Sequence, residues 1–170
     1  MYTYVIIDDE PLIRRGTKKK LEPLSHLLTC CGEASDGREG LELVRQLKPD
    51  IVILDMQMPV MDGTELLPAL SEEFPSTALI VISGFQNFDY MKQAISSKVI
   101  DYILKPFSKD EIQQTVLKTI DSLKDKEAED HHLTSMVQEK EEAFYSLDLK
   151  LLTDFLLGYT DTAHSSVSSQ

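Results

Sequence analysis

Four short runs of apolar, mostly β-branched residues constrain the fold of this chain more than any other feature. Each run is three to five residues long, is unbroken by a polar side chain and precedes a stretch with helical apolar spacing. Strands that are buried on both faces have this composition, whereas strands with one wet face alternate apolar and polar residues. The runs are Val5–Ile7, Ile51–Leu54, Ala78–Ile82 and Tyr102–Leu104, and Leu28–Cys31 is a weaker fifth candidate.

The helical segments between these runs predict how the strands connect. Parallel neighbours need a crossover long enough for a helix, so this alternation predicts a parallel sheet covered on both faces. The expected fold class is α/β, a doubly wound five-stranded parallel sheet with a C-terminal helical extension. Helices are expected at Leu12–Leu24, Glu39–Leu47, Leu66–Phe74 and Phe88–Ile95. A fifth begins at a capping box, Ser108 to Glu111, and has Ile112, Val116, Ile120 and Leu123 on its inner face.

Composition excludes several classes of function. The 29 acidic and 17 basic residues give a net charge of -12, which opposes unaided binding to nucleic acid. The two cysteines, Cys30 and Cys31, are adjacent and so fit neither a disulfide framework nor a zinc site, which favours a reducing, cytoplasmic location. No apolar run approaches the roughly 20 residues that span a bilayer, so we expect no membrane partner.

Charged and polar side chains follow four of the predicted strands. Asp8 and Asp9 follow the first strand, Asp55 ends the third, Ser83 ends the fourth and Lys105 follows the fifth. Open α/β sheets bind ligands beyond the carboxyl ends of their strands, so we expect these residues to share a pocket. Crowded carboxylates repel one another unless a cation compensates, and hard oxygen ligands favour Mg²⁺. Asp55, on the central strand, is best placed to attack phosphorus, with Ser83 and Lys105 left for the phosphoryl oxygens.

Each of these features alone also has a plain structural explanation. Asp8 and Asp9 could cap the following helix, and Asp55 could simply open a turn. Ser83 and Lys105 could be ordinary loop and surface residues. Their joint occurrence at four strand ends favours a phosphoryl-transfer site.

Four motifs, VIIDDEP, DIVILDMQMPVMDG, VISGF and DYILKPF, resemble the receiver domain of bacterial two-component response regulators over about residues 1–123. The resemblance implies a flavodoxin-like (CheY-like) fold with strand order 2-1-3-4-5. It also implies Mg²⁺-dependent transfer of a phosphoryl group from a sensor histidine kinase. Such a protein is a phosphoacceptor switch that assists its own phosphotransfer and dephosphorylation, and is not an enzyme in the ordinary sense.

The resemblance assigns roles by matched position. The phosphoacceptor is Asp55, and the Mg²⁺ ligands are Asp8, Asp9, Asp55 and the backbone carbonyl of Gln57. The phosphate-pairing residue is Lys105, which is followed by a cis peptide bond to Pro106. The switch residues are Ser83 and Tyr102. Ser83 would move toward the phosphoryl group and Tyr102 would turn inward behind it. The surface expected to change, and to support a homodimer, lies on the fourth helix, fifth strand and fifth helix around Phe88, Tyr90, Met91 and Phe107.

The remainder of the chain is predicted to comprise an acidic linker with an amphipathic helix (124–158) and a flexible tail (159–170). SGFQNFDYMKQA and the amphipathic segment resemble receivers that precede AraC-type DNA-binding domains. Such a module needs about a hundred residues and a basic face, whereas the 47 residues after Leu123 are acidic. We expect a truncated form of a longer transcriptional regulator that reaches DNA only through that missing domain; a regulator acting through protein contacts is the alternative. The helix over 133–157 could dock on its own domain or dimerise as a coiled coil.

Three other classes fit the sequence less well. A haloacid-dehalogenase-like phosphatase needs a second acid two residues after its nucleophile, where this chain has Gln57. A receiver-like module that works without phosphorylation would usually lack one of the acidic or lysine positions, and none is missing. A flavodoxin-like cofactor binder needs a phosphate-cradling loop after the first strand, where this chain has DDEP.

Overall fold

The computed structural model describes residues 1–84, 88–97, 99–129 and 134–135. Its strands are β1 (Tyr2–Ile7), β2 (Leu28–Ala34), β3 (Ile51–Asp55), β4 (Ala78–Ser83) and β5 (Asp101–Leu104). Its helices are α1 (Pro11–Leu21), α2 (Gly37–Leu47), α3 (Gly63–Glu73), α4 (Phe88–Ser96) and α5 (109–129), and a 3-10 turn covers Glu22–Leu24. The strands form one parallel sheet in the order β2-β1-β3-β4-β5, which confirms the predicted topology.

Alternate residues of the central strands pack into two different apolar layers. Ile6 and Ile53 belong to a layer that also holds buried residues of α1 and α5. Ile7 and Leu54 belong to the layer formed with α2 and α3. Because successive side chains point to opposite faces of a strand, only an unbroken apolar run can fill both layers.

Two helices begin earlier than their apolar stripes predict, because aspartates cap them. Asp36 accepts hydrogen bonds from the backbone N–H groups of Arg38 and Glu39, so α2 begins at Gly37 and not at Glu39. Asp62 caps α3 in the same way, and that helix begins at Gly63 and not at Leu66. A cap satisfies N–H groups that precede the first apolar contact, so a helix start inferred from the apolar stripe falls late.

The capping box predicted for α5 is confirmed. The backbone N–H of Glu111 donates to Ser108 Oγ at 3.0 Å, and that of Ser108 donates to the Glu111 carboxylate at 3.4 Å. All four residues of the predicted inner face, Ile112, Val116, Ile120 and Leu123, are buried.

The edge strand β2 is longer than predicted, continuing through the polar Glu33 to Ala34. One of its faces is partly exposed, so its sequence alternates and lacks the unbroken run of a central strand. Its register to β1 shifts: Tyr4 pairs with Cys30 and Val5 with Gly32, which leaves Cys31 in a bulge.

The chain divides into two units, Met1–Leu123 and Lys124–Gln170. The amphipathic helix predicted over 133–157 lies outside the described residues, except for helical residues 134 and 135, and so does the predicted tail 159–170. Within the described ranges, no helix is both long and apolar enough to cross a membrane.

Candidate functional site

The parallel register brings the predicted polar residues to one edge of the sheet. Ile7 pairs with Leu54, so the residues that follow them, Asp8 and Asp55, lie side by side. On the next strands Asp55 pairs with Ile82, and Ser83 pairs with Leu104, directly before Lys105. The carboxyl ends of four strands therefore meet at one place, as parallel topology requires.

Three carboxylates form the centre of this site. Oxygen atoms of Asp8, Asp9 and Asp55 all lie within 4.8 Å of one another. Asp8 and Asp55 are 3% and 5% exposed, while Asp9 is open to solvent. Two buried carboxylates with a third at the entrance form an acidic pocket that an ion can reach from solvent.

Asp8 does not cap α1 with its side chain, so the plain structural explanation of that residue is wrong. The N-cap residue of α1 is Glu10, which makes no side-chain capping bond. Asp8 Oδ1 accepts the backbone N–H of Glu10 at 2.8 Å, and Oδ2 stays directed to the site. The helix instead begins with Pro11, whose missing N–H needs no cap.

Lys105 bridges the two buried carboxylates. Its Nζ donates hydrogen bonds of 2.8 Å to Oδ2 of Asp8 and of 2.8 Å to Oδ2 of Asp55. The Lys105 side chain is 12% exposed, and the peptide bond to Pro106 is cis. The same Nζ lies 3.7 Å from Glu10 Oε1, so with Asp9 at the entrance four carboxylates share one ammonium and the ionised pocket has a net negative charge.

The pKa values of Asp55 and Lys105 reflect this excess of negative charge. Burial raises the pKa of the Asp55 carboxyl above its usual range, although the hydrogen bond from Lys105 acts in the opposite direction. Burial also disfavours the charged form of Lys105, but hydrogen bonds to Asp55 and Asp8 outweigh it and raise the pKa of the ammonium. Both pKa values can be raised because two carboxylates stabilise the charged form of Lys105, whereas Asp55 shares a single ammonium with Asp8.

Ser83 and Tyr102, the predicted switch residues, lie on adjacent strands. Ser83 is fully buried at the end of β4, and its backbone carbonyl accepts the N–H of Lys105 at 2.8 Å. Tyr102 is half-buried, pairs with Val81 of β4 and packs against the layer that contains α2 and α3. Ser83 pairs with Leu104, so Ser83 and Tyr102 lie on adjacent strands of the β4–β5 ladder, two positions apart along it.

The predicted surface on α4, β5 and α5 is only partly described. Tyr90 is half-buried, while the side chains of Phe88 and Met91 lie outside the described residues. Phe107 is only 7% exposed and belongs to the layer with α1 and α5, so its placement on that surface was wrong. Its ring lies 4.0 Å from Lys20 Nζ, which also donates a hydrogen bond to its carbonyl.

Two contacts at the site join residues that the sequence patterns do not connect. The Gln57 amide donates to the Tyr90 hydroxyl at 3.4 Å, which links the loop after β3 to α4. Arg14 donates a 2.6 Å hydrogen bond to the backbone carbonyl of Asp8. The sequence feature that could have indicated the contact of Arg14 with Asp8 is the position of Arg14 in the first turn of α1, close to the end of β1.

The β3–α3 loop holds Asp55 against α3. The N–H of Gly63 donates to the Met56 carbonyl at 2.9 Å, and a Cβ on Gly63 would lie 2.7 Å from the Met56 Cα. Only glycine allows so close an approach. In the same loop Val60 has φ 69°, a conformation that is rare for a β-branched residue.

This arrangement, a parallel α/β sheet with an acidic pocket and a bridging lysine at its carboxyl edge, belongs to the class of open doubly wound α/β folds, whose ligand sites lie at that edge. Residues 4–117 match the family described as the response regulator receiver domain. The chain belongs to this family of signalling switches.

Related proteins and structures agree with that membership. The chain is 38% identical over 124 residues to the uncharacterized transcriptional regulatory protein YesN of Bacillus subtilis, covering 73% of this chain and 34% of YesN. It is 37% identical over 106 residues to transcriptional regulatory protein HptR of Staphylococcus aureus, covering 62% of this chain and 41% of HptR. The REC domain of AraT, a response regulator from Geobacillus stearothermophilus, superposes with a TM-score of 0.69 at 33% identity, covering 74% of this chain and 98% of that one. The chain thus spans about a third to two fifths of the curated relatives named here.

Proposed function

We propose that this chain accepts a phosphoryl group on Asp55 from the phosphohistidine of a sensor kinase in a Mg²⁺-dependent reaction. The observation that carries the proposal is the Lys105 ammonium held 2.8 Å from both Asp8 and Asp55, with Asp9 beside them. A structural ion pair would need one carboxylate for one lysine. The surplus of acids suits a site completed by a divalent cation.

The donor set fits Mg²⁺. Asp8, Asp9 and Asp55 offer hard carboxylate oxygens, and the backbone carbonyl of Gln57 is a further ligand in this proposal. When bound, the ion would neutralise charge on the carboxylates and on the phosphoryl oxygens. The open position of Asp9 leaves room for water on the ion, and Mg²⁺ in proteins usually keeps several waters.

In the proposed reaction a carboxylate oxygen of Asp55 attacks phosphorus in line with the donor histidine. The P–O bond of an acyl phosphate forms while the P–N bond of the donor breaks, and the imidazole leaves. Lys105 would transfer its hydrogen bond from Asp55 to a phosphoryl oxygen while keeping its bond to Asp8. Burial of Asp55 limits access of bulk water to the acyl phosphate.

We infer that Ser83 and Tyr102 report the reaction to the α4, β5 and α5 surface. A phosphoryl group adds charge and acceptor oxygens that a serine hydroxyl at the end of β4 can contact. Tyr102 lies on the neighbouring strand, and Ile95 on α4 is 77% exposed beside it, lining the same hollow of about 200 Å³. This face is the proposed site of homodimerisation.

We further propose that the switch controls transcription through an output domain outside these 170 residues, with an AraC-type DNA-binding domain as the expected kind. The support is that relatives which this chain covers by 34% and 41% are named transcriptional regulators. The proposed compartment is the cytoplasm, where a sensor kinase would meet it.

The test is to incubate the chain with acetyl phosphate and Mg²⁺ and to record the intact mass. Wild type should gain one phosphoryl group, and so should the control Asp110→Asn, which removes an exposed acid of α5 that is not part of the acidic pocket. Asp55→Asn, and wild type with excess chelator, should gain none. Equal phosphorylation of Asp55→Asn, or none in wild type with Mg²⁺, contradicts the proposal. Gel filtration with beryllium fluoride then tests the homodimer.

A further inference from the structure

A second concave site lies away from the acidic pocket, between α1, the 3-10 turn and the edge strand β2. This α1–β2 groove is open to solvent and encloses about 440 Å³. Ligand sites in proteins commonly fall between about 300 and 1,000 Å³. Tyr4 and Cys30 line it from adjacent strands, and Leu21 lines it from α1. Tyr4 and Leu21 are only 4% and 2% exposed and form the floor of the groove, whereas Cys30 is half-buried and Thr29 is exposed.

Three cations also line the groove: Arg15, Lys18 and Lys19. They belong to a group of five basic residues between positions 14 and 20, in a chain whose net charge is -12. Glu22 is the one acid in its lining. An anion would therefore find at this groove a local charge opposite to that of the chain as a whole.

Two of these cations are not neutralised within the part of the chain that the structure describes. Lys18 forms a short ion pair with Glu33, which also contacts Arg14. Arg15 and Lys19 are exposed and form no ion pair among the described residues. Basic residues in the last turn of a helix, here Lys18, Lys19 and Lys20, also interact favourably with the helix dipole. That interaction accounts for basic residues at this end of α1 but not for the groove beside them.

We propose that the α1–β2 groove binds a small organic anion with a flat apolar body and one acidic group. The body would lie over the floor of the groove against Thr29 and Cys30, and the acidic group would pair with Arg15 and Lys19. The site goes beyond the proposed phosphotransfer, since none of its lining residues belongs to the acidic pocket. Phosphorylation and this binding can therefore succeed or fail independently.

The probe is 1-anilinonaphthalene-8-sulfonate, which has two aromatic groups and one sulfonate, titrated into the full chain and followed by fluorescence. We expect saturable binding with a Kd on the order of 10 to 100 µM. Arg15→Glu/Lys19→Glu should weaken binding at least tenfold. The matched reversal Lys109→Glu/Lys118→Glu, at exposed positions of α5 outside the groove, should change it less than twofold. The neutral analogue N-phenyl-1-naphthylamine should bind at least tenfold more weakly than the sulfonate.

Location is tested separately by amide chemical shifts and by a blocking variant. Probe-induced shifts should concentrate at residues 15–30, and Thr29→Trp, which fills the groove, should abolish binding while the far-ultraviolet circular dichroism stays unchanged. Shifts centred on the hollow between α4 and β5, or equal weakening by both charge reversals, would overturn the proposal. Displacement of the probe by a short DNA duplex would assign the groove to a polyanion and overturn it as well. Each groove variant should still gain a phosphoryl group from acetyl phosphate.

Discussion

Replacement of Lys105 by methionine tests the electrostatics of the acidic pocket most directly. Methionine keeps most of the side-chain volume and removes the ammonium that donates 2.8 Å hydrogen bonds to Asp8 and Asp55. Both carboxylates are almost fully buried, so neither can recover its lost partner from bulk water. Removal of one member of a buried ion pair costs about 3–5 kcal/mol. For a domain of this size we expect the midpoint of thermal unfolding to fall by about 10–20 °C without Mg²⁺.

The pH and Mg²⁺ dependence of that loss identifies its cause. In Lys105→Met the hydrogen bond that lowers the pKa of the Asp55 carboxyl is lost, so burial raises that pKa further in the folded state. The folded protein then binds a proton more tightly than the unfolded chain. Its stability should therefore rise as the pH falls from 7 toward 5, more steeply than in wild type. A bound cation replaces the missing charge, so Mg²⁺ at a hundred times its Kd, which stabilises a single site by about 2.7 kcal/mol, should restore much of the loss.

The assay is urea unfolding followed by circular dichroism at pH 5 and pH 7, with and without Mg²⁺. Lys118→Met, at an exposed position of α5, is the matched control and should change stability by less than about 0.5 kcal/mol. Asp55→Asn in the Lys105→Met background should recover part of the loss, because one unpaired charge is removed. A loss below about 1 kcal/mol, or one that is independent of pH and unchanged by Asp55→Asn, would refute the argument.

Three further substitutions, two of them with a matched control variant, test local packing and backbone conformation. Thr17 is buried and its hydroxyl has no hydrogen-bond partner among the described residues, so Thr17→Val should stabilise the protein by about 1 kcal/mol in urea unfolding. Thr119→Val, which removes a bonded hydroxyl, should show no such gain. Val60→Gly relieves a positive φ worth about 1–3 kcal/mol and should be net stabilising by differential scanning calorimetry; a lower midpoint would contradict that reasoning. Gly63→Ala should cost about 1–3 kcal/mol because backbone occupies the space, whereas Gly16→Ala, with nothing within 4 Å, should gain about 0.5–1 kcal/mol in urea unfolding.

The features that sequence predicts best are those repeated along the chain. Buried strands require unbroken apolar runs, and a parallel sheet brings their carboxyl ends together, so the proximity of Asp8, Asp55 and Lys105 follows from topology. Helix starts were less predictable because one residue, Asp36 or Asp62, decides each of them. An apolar stripe reports where a helix touches the core, which is later than where it begins.

Single contacts between distant residues were beyond the sequence patterns. The hydrogen bond from Gln57 to Tyr90 and that from Arg14 to the Asp8 carbonyl each join one side chain to one group, so they leave no periodic trace. The misplacement of Phe107 has a similar cause. The sequence does not say toward which face of the sheet an aromatic residue after a strand turns. The contact between Phe107 and Lys20 of α1 joins residues far apart in sequence, so no local pattern predicts it.

The bulge at Cys31 has a consequence for how copies of this chain meet. An edge strand offers unpaired backbone groups that another chain can extend into a continuous sheet. An incoming strand that pairs with β2 would meet a break in spacing midway along it, where the ladder to β1 skips one residue. At the opposite edge β5 has only four residues and begins with Asp101. Both edges of the sheet are therefore poor templates for pairing with a strand of another chain. We expect association between copies to use helical faces instead, and edge-to-edge aggregation to be disfavoured.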